Sequence, residues 1–194
     1  AITANQLVTE AEVELRDNNG SVMVNLREPT TQLAFTGLTE KPVVSFLRQF
    51  SAPVKVQYDR PAAELDFLAR HDQDGFVRWD AMQSMWMSYF DRGGSETDAR
   101  PQDAVHSIAE QALTLSRSDE KLLAATMLTV PGELYLFEQL QGFDALGLLD
   151  ARDAGVALVA TQSVELWQTL YETYAARDSH QVDADSIAAR ALAN

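Results

Sequence analysis

Cysteine is absent from the 194-residue chain, which excludes disulfides, thiolate metal sites and a cysteine nucleophile. The absence also fits a reducing compartment, so a cytoplasmic location is expected. Histidine is scarce. His71, His106 and His180 are the whole supply, and no two stand four apart, the spacing that turns two imidazoles of one helix toward one metal. Positive charge is short as well, with 15 Lys and Arg against 29 Asp and Glu and a net charge of −14. That balance lacks the basic footprint on which nucleic-acid binding rests. No apolar run approaches the about eighteen residues that span a bilayer, and no membrane association is expected. Ala1-Ile2-Thr3-Ala4-Asn5 has no basic start leading into an apolar core, so no secretory signal is visible. An initiator Met is missing too, as in an internal segment or a processed product. Neither a Gly-x-Ser-x-Gly elbow nor a phosphate loop is found.

The residues that are present divide into two regions. Hydrophobic residues make up 46% of the chain and charged residues 23%, proportions of a folded rather than a disordered protein. Residues 1–60 carry 6 basic and 7 acidic groups, whereas 61–194 carry 9 and 22, so the acidity belongs to the second region. The first alternates with period two, the mark of half-buried strands. Glu10–Arg16 sets charges against small and apolar residues, Asp17-Asn18-Asn19-Gly20 supplies turn chemistry, and Val22, Val24 and Leu26 form the inward face of a returning strand. Further strands are expected over 31–35, 43–47 and 53–58, which makes an antiparallel, sandwich-like sheet. Fewer than about 60 residues make a thin core for such a domain. An unpaired sheet edge is expected, and with it self-association.

From Pro61 the period becomes helical. Pro61 and Pro131 suit helix starts because the N–H that proline lacks would be unsatisfied there. Helices are expected over 62–71, 76–90, 103–115, 119–128, 133–140, 144–160, 163–177 and 184–193, with a Gly- and Ser-containing connection over 91–100. Short polar turns between helices of this length point to stacked pairs in an α-solenoid. The last helix stops without a Gly or Pro signal, as though the chain were cut within its helical array.

Each candidate site has a plainer reading. Asp72-Gln73-Asp74-Gly75 looks like the middle of a calcium-binding EF-hand loop. Aligning Gly75 with that loop's glycine puts Arg70 at the first ligand position and Ala81 at the last, and neither ligates calcium. The expected role is a turn that caps the following helix. Phe76, Trp79, Met82, Trp86 and Tyr89 share nearly one helical face, the spacing of a buried packing surface. Asp119-Glu120 is read as a solvated helix start. No catalytic constellation emerges.

Two segments carry a resemblance to a known family. Phe50-Ser51-Ala52-Pro53-Val54-Lys55-Val56-Gln57-Tyr58 and Phe76-Val77-Arg78-Trp79-Asp80-Ala81-Met82-Gln83 together resemble the junction between the β-sandwich and the C-terminal helical domain in the bacterial aminopeptidase N family, the alanyl aminopeptidase branch of the gluzincin zinc peptidases. Asp17-Asn18-Asn19-Gly20 is similar to that family's hairpin turn. The resemblance implies an α+β chain of two domains, a partial β-sandwich over 1–59 and a truncated HEAT- or armadillo-like helical domain over 60–194. It gives Phe50, Pro53, Tyr58, Arg78, Trp79 and Asp80 the part of a structural junction, with no catalytic and no metal-binding residue. The family's His-Glu-x-x-His and Gly-Ala-Met-Glu-Asn motifs are missing. The resemblance therefore implies a non-catalytic fragment, without a cofactor of its own, of a zinc-dependent cytoplasmic enzyme that removes N-terminal residues from peptides. The sandwich acts as a spacer, and the helical domain closes over the active site. Implied partners are the missing catalytic domain and, for the parent, peptide substrates. Two alternatives stand beside it: a helical interaction module that binds a partner on an acidic surface, and a self-sufficient metal enzyme with histidines gathered from distant positions.

Overall fold

The computed structural model describes residues 7–9, 12–16, 21–54, 56–93, 101–140, 144–175 and 182–194. They divide into two compact units, residues 1–44 and 45–194.

In the first unit, β1 (Leu7–Val8) pairs antiparallel with β4 (Ala34–Phe35), and β2 (Glu12–Arg16) pairs antiparallel with β3 (Ser21–Asn25). The register Arg16↔Ser21 through Glu12↔Asn25 agrees with the expected hairpin. Its turn, 17–20, lies outside the described residues. Thr9 Oγ1 donates to the Gln32 carbonyl at 2.9 Å, which ties the segment after β1 to the approach to β4. A sandwich is not what the described residues form. They contain two separate two-stranded ladders, and the strand expected over 31–35 shortens to Ala34–Phe35. Val22 and Val24 are half-buried as expected of an inward face, yet Leu26 is 68% exposed. A single ribbon has no opposing layer to cover its apolar side.

Among the described residues, the strands expected over 43–47 and 53–58 do not form either. Leu47, Gln49 and Phe50 have φ of 53°, 57° and 51°, in the left-handed region that an extended strand cannot enter. A 3-10 turn occupies Arg48–Phe50 instead. The alternation of Val54, Val56 and Tyr58 is real, but no described strand pairs with it, and alternation without a ladder partner leaves only irregular chain.

The second unit is helical: α1 (Ala62–His71), α2 (Gly75–Asp91), α3 (Pro101–Ala112), α4 (Ser118–Leu128), α5 (Glu133–Gln139), α6 (Ala145–Gln162), α7 (Val164–Tyr174) and α8 (Ala184–Ala193). The expected helices are all present, with ends shifted by at most a turn. α2 is the centre. It packs on α1, α3, α4 and α6, and its buried residues Val77, Ala81, Met82, Met85, Trp86, Tyr89 and Phe90 run around much of the helix, as required of an element enclosed by neighbours. The Trp86 indole stacks on Phe90 at 5.3 Å and meets Tyr89 edge-on at 5.8 Å. Gly155 of α6 lies over this cluster, and a Cβ there would sit 3.4 Å from each of the three rings. A larger residue would push α6 off α2. Among the five residues of the expected aromatic face, Met82, Trp86 and Tyr89 are buried, while Phe76 and Trp79 near the start of the helix are half-buried.

Long-range polar contacts close the helical unit. α8 returns to α4, where the nearly buried Lys121 ammonium donates to Asp185 at 2.8 Å. Tyr174 Oη donates to the Ala112 carbonyl at 2.5 Å, joining the end of α7 to the end of α3.

Candidate functional site

The turn before α2 organises the surroundings of the expected junction. Asp74 is buried, and its carboxylate accepts from Val77 N at 3.0 Å, the cap expected of this turn. Its other oxygen accepts from Gln49 N at 2.7 Å. Asp72 accepts from Asp74 N at 2.7 Å and pairs with the Arg48 guanidinium at 3.2 Å. Two carboxylates that resemble calcium ligands in sequence therefore bind a backbone amide and a cation of the preceding segment.

The six expected junction residues do not form one unit. Phe50 is 58% exposed, but its ring meets Phe76 of α2 at 5.1 Å, and Phe76 in turn lies 6.1 Å from Trp79. Tyr58 packs edge-on against Phe46 at 5.3 Å. The Arg60 guanidinium covers both rings, 5.4 Å from Phe46 and 5.7 Å from Tyr58, and reaches toward the Asp80 carboxylate at 3.9 Å. Burial raises the Asp80 carboxyl above its ordinary value, with Arg60 opposing the rise. Arg78 does not pair with Asp80. It turns back and donates from Nε to the Ala69 carbonyl at 3.0 Å, fastening α2 to the last turn of α1. Burial pulls the Arg78 guanidinium down, against the attraction of Asp72 and Glu120. Pro53 is exposed and joins neither group.

A groove of about 690 Å³ runs between residues 46–60, α1, α2 and α5. Its lining includes Phe46, Tyr58 and Arg60, Asp80 and Ser84 of α2, and Tyr135 of α5. Burial, and then the Asp80 carboxylate, push the Tyr135 phenol up. The lining of the groove carries both charge signs and the hydroxyls of Tyr58, Ser84, Ser88 and Tyr135. Arg60, Phe46 and Tyr135 were not anticipated. Arg60 sits four residues before Glu64 and directly ahead of Pro61, where it reads as an ordinary helix-flanking charge.

The two described histidines, His71 and His106, have separate partners. The His71 ring lies 5.1 Å from Phe67 in α1. His106 Nδ1 shares a hydrogen bond with Ser163 Oγ at 2.5 Å, and its Nε2 lies 3.4 Å from Glu110. His180 is outside the described residues. Among the described residues no three His, Asp or Glu side chains come together to hold a metal ion, and no helix is long and apolar enough to cross a membrane.

Comparison with known proteins places this geometry. Residues 62–194 match the family model described as a domain of unknown function, DUF3458_C, with ARM repeats. Residues 4–59 match its companion, DUF3458, described as an Ig-like fold. The chain is similar to aminopeptidase N of Escherichia coli, 29% identical over 94% of the chain and 22% of that protein. It is likewise similar to aminopeptidase N of Haemophilus influenzae, 26% identical over 93% of the chain and 21% of that protein. The chain thus spans about a fifth of the length of these relatives. In fold it resembles the crystal structure of Legionella pneumophila aminopeptidase A in complex with aspartic acid. The TM-score is 0.72 over 89% of the chain and 21% of that structure, at 18% identity.

Proposed function

The chain belongs to the DUF3458 family, with an Ig-like domain followed by ARM repeats, and from that premise we propose that it is the non-catalytic spacer and helical part of a zinc-dependent aminopeptidase. The observation that carries this reading is the coverage. Nearly the whole chain aligns with aminopeptidase N, yet it amounts to 22% of that protein. The parent hydrolyses N-terminal residues from peptides in the cytoplasm. Zinc belongs to the parent's catalytic domain, and that domain is this chain's partner. The junction residues Phe50, Tyr58, Arg78, Trp79 and Asp80 serve to fix the region around α2, a reading supported by the contacts of Phe50 and Trp79 with Phe76, of Tyr58 and Asp80 with Arg60, and of Arg78 with Ala69. Pro53 is assigned to the same junction from its sequence position.

The test is a transplant. This chain replaces the aligned segment of Escherichia coli aminopeptidase N, and hydrolysis of an aminoacyl-anilide is compared for the chimera, the parent and the isolated chain. The expected result is a folded, active chimera and an inactive isolated chain. Hydrolysis by the isolated chain, abolished by a chelator, overturns the reading in favour of a self-sufficient metal enzyme.

A further inference from the structure

A second hollow, of about 380 Å³, lies between α2, α4, the connection from α4 to α5, and α5 itself, and its volume is that of a small-molecule site. Trp79 and Gln83 line it from α2, four residues apart and therefore on one helical face. Tyr135 of α5 lines it as well. Among the described residues its lining contains no charged side chain. The polar groups that remain are of two kinds. The Thr126 and Thr129 hydroxyls donate to the Leu122 and Ala125 carbonyls of α4, each at 2.9 Å. The Gln83 carboxamide and the Tyr135 hydroxyl have no hydrogen-bond partner among the described residues, although Gln83 is only 6% exposed. A carboxamide offers a donor and an acceptor side by side, and a buried one left unmatched is costly. Burial, and then the Asp80 carboxylate, push the Tyr135 phenol up, so its hydroxyl keeps the proton it can donate.

We propose that this hollow binds a small, uncharged, flat ring carrying a primary carboxamide or lactam edge, with Gln83 as the residue that reads the edge. In such an edge an N–H and a C=O point the same way, so they meet the Gln83 C=O and N–H in two parallel hydrogen bonds. The ring lies along the Trp79 indole, where one flat π-face packs on another, and against the apolar side chains of Leu122 and Pro131. The Tyr135 hydroxyl donates to the second lone pair of the ligand's carbonyl. A carboxylate is disfavoured, because the described lining holds no cation to pair with a desolvated negative charge. A peptide unit fits less well. Its trans amide turns N–H and C=O to opposite sides, so one carboxamide cannot engage both.

Benzamide is the probe. In the full chain, labelled with the heavy nitrogen isotope, its addition is expected to move the Gln83 side-chain amide and Trp79 indole resonances saturably, while the fully buried Trp86 indole stays in place. Benzoate and benzyl alcohol have a ring of the same size without the paired edge, and each is expected to bind about tenfold more weakly. Gln83→Leu keeps the volume and removes the edge. It is expected to weaken benzamide about tenfold and to leave benzyl alcohol unchanged, with the Trp86 resonance reporting that the fold is kept. Tyr135→Phe, at a half-buried position, is expected to weaken benzamide about threefold. N-acetylphenylalanine N-methylamide, whose amides are trans, is expected to bind more weakly than benzamide; tighter binding overturns the proposal in favour of a peptide docking surface. Equal affinity for benzamide and benzoate, an unchanged benzamide affinity in the Gln83→Leu protein, or no saturable shift at Trp79 overturns it as well.

Discussion

The two units of this chain differ in where their backbone hydrogen bonds go. A helix satisfies its N–H and C=O groups within its own segment, so α1–α8 form as local patterns and then pack. A strand must find its partner elsewhere in the chain, and among the described residues β1–β4 have one neighbour each. The helical unit builds a core with Trp86, Met82, Met85 and Ile108 at 1% exposure or less. The described strands of the other unit, where burial is resolved, reach only half-burial. Alternation in sequence states which face is apolar, and only a second layer turns that face into a core.

The comparison can be broken or sharpened by measurement. The largest effect is expected from Trp86→Ala, which removes the ring that α2 stacks on Phe90 beneath α6. A loss of about 3–5 kcal/mol is expected, read as a lowered urea midpoint of the helical transition. Next, one substitution made in each unit compares them directly. Val105→Ala, fully buried in α3, should cost about 2 kcal/mol, whereas Val24→Ala in half-buried β3 should cost less than about 1 kcal/mol. Equal costs would mean that β2 and β3 share a core as tight as that of the helices. Asp74→Ala removes the α2 cap and the Gln49 contact together, with an expected cost of about 1–2 kcal/mol. Asp74→Asn keeps a capping oxygen and should cost less in the same denaturation experiment.

The smallest effect is a dependence on pH with opposite signs at two carboxyls. The hydrogen bond from Lys121, followed by its charge, holds the Asp185 carboxyl below its ordinary value. Its contribution is present above the unfolded carboxylate pKa of about 3.9 and is lost as pH falls through the lower folded value. Burial raises the Asp80 carboxyl. Its contribution is present below that unfolded pKa and is lost as pH rises through the higher folded value. Acidification should therefore loosen α8 from α4 while it favours the surroundings of Asp80. Amide exchange corrected for intrinsic rate measures both. In the Asp185→Asn protein the acid loosening of α8 should disappear, and its persistence would assign that loosening to another group.

Much of the helical unit is legible in the sequence because each signal acts within a few residues. Pro61 and Pro131 stand just ahead of helices, Asp74 accepts from Val77 N, and the spacing of Met82, Trp86 and Tyr89 marks a packed face. The resemblance carried by Phe50–Tyr58 and Phe76–Gln83 agrees with the relatives found over nearly the whole chain. The strands expected over 43–47 and 53–58 fail because alternation names a face and not a partner. The Arg60 seat is equally hidden. Phe46, Tyr58 and Asp80 are spread over thirty-five positions, and nothing local marks their convergence.

By itself the amino-acid sequence determined the helices, their caps, the acidic balance and the want of cysteine and clustered histidine, since each depends on residue type and near spacing. Only the tertiary structure decided that the acidic turn holds Gln49 and Arg48, that Arg78 bonds to α1 while Asp80 faces Arg60, and that residues 46–60 wall a groove. Those outcomes depend on groups distant in the chain meeting at 3–6 Å, a condition set by packing and not by order along the backbone.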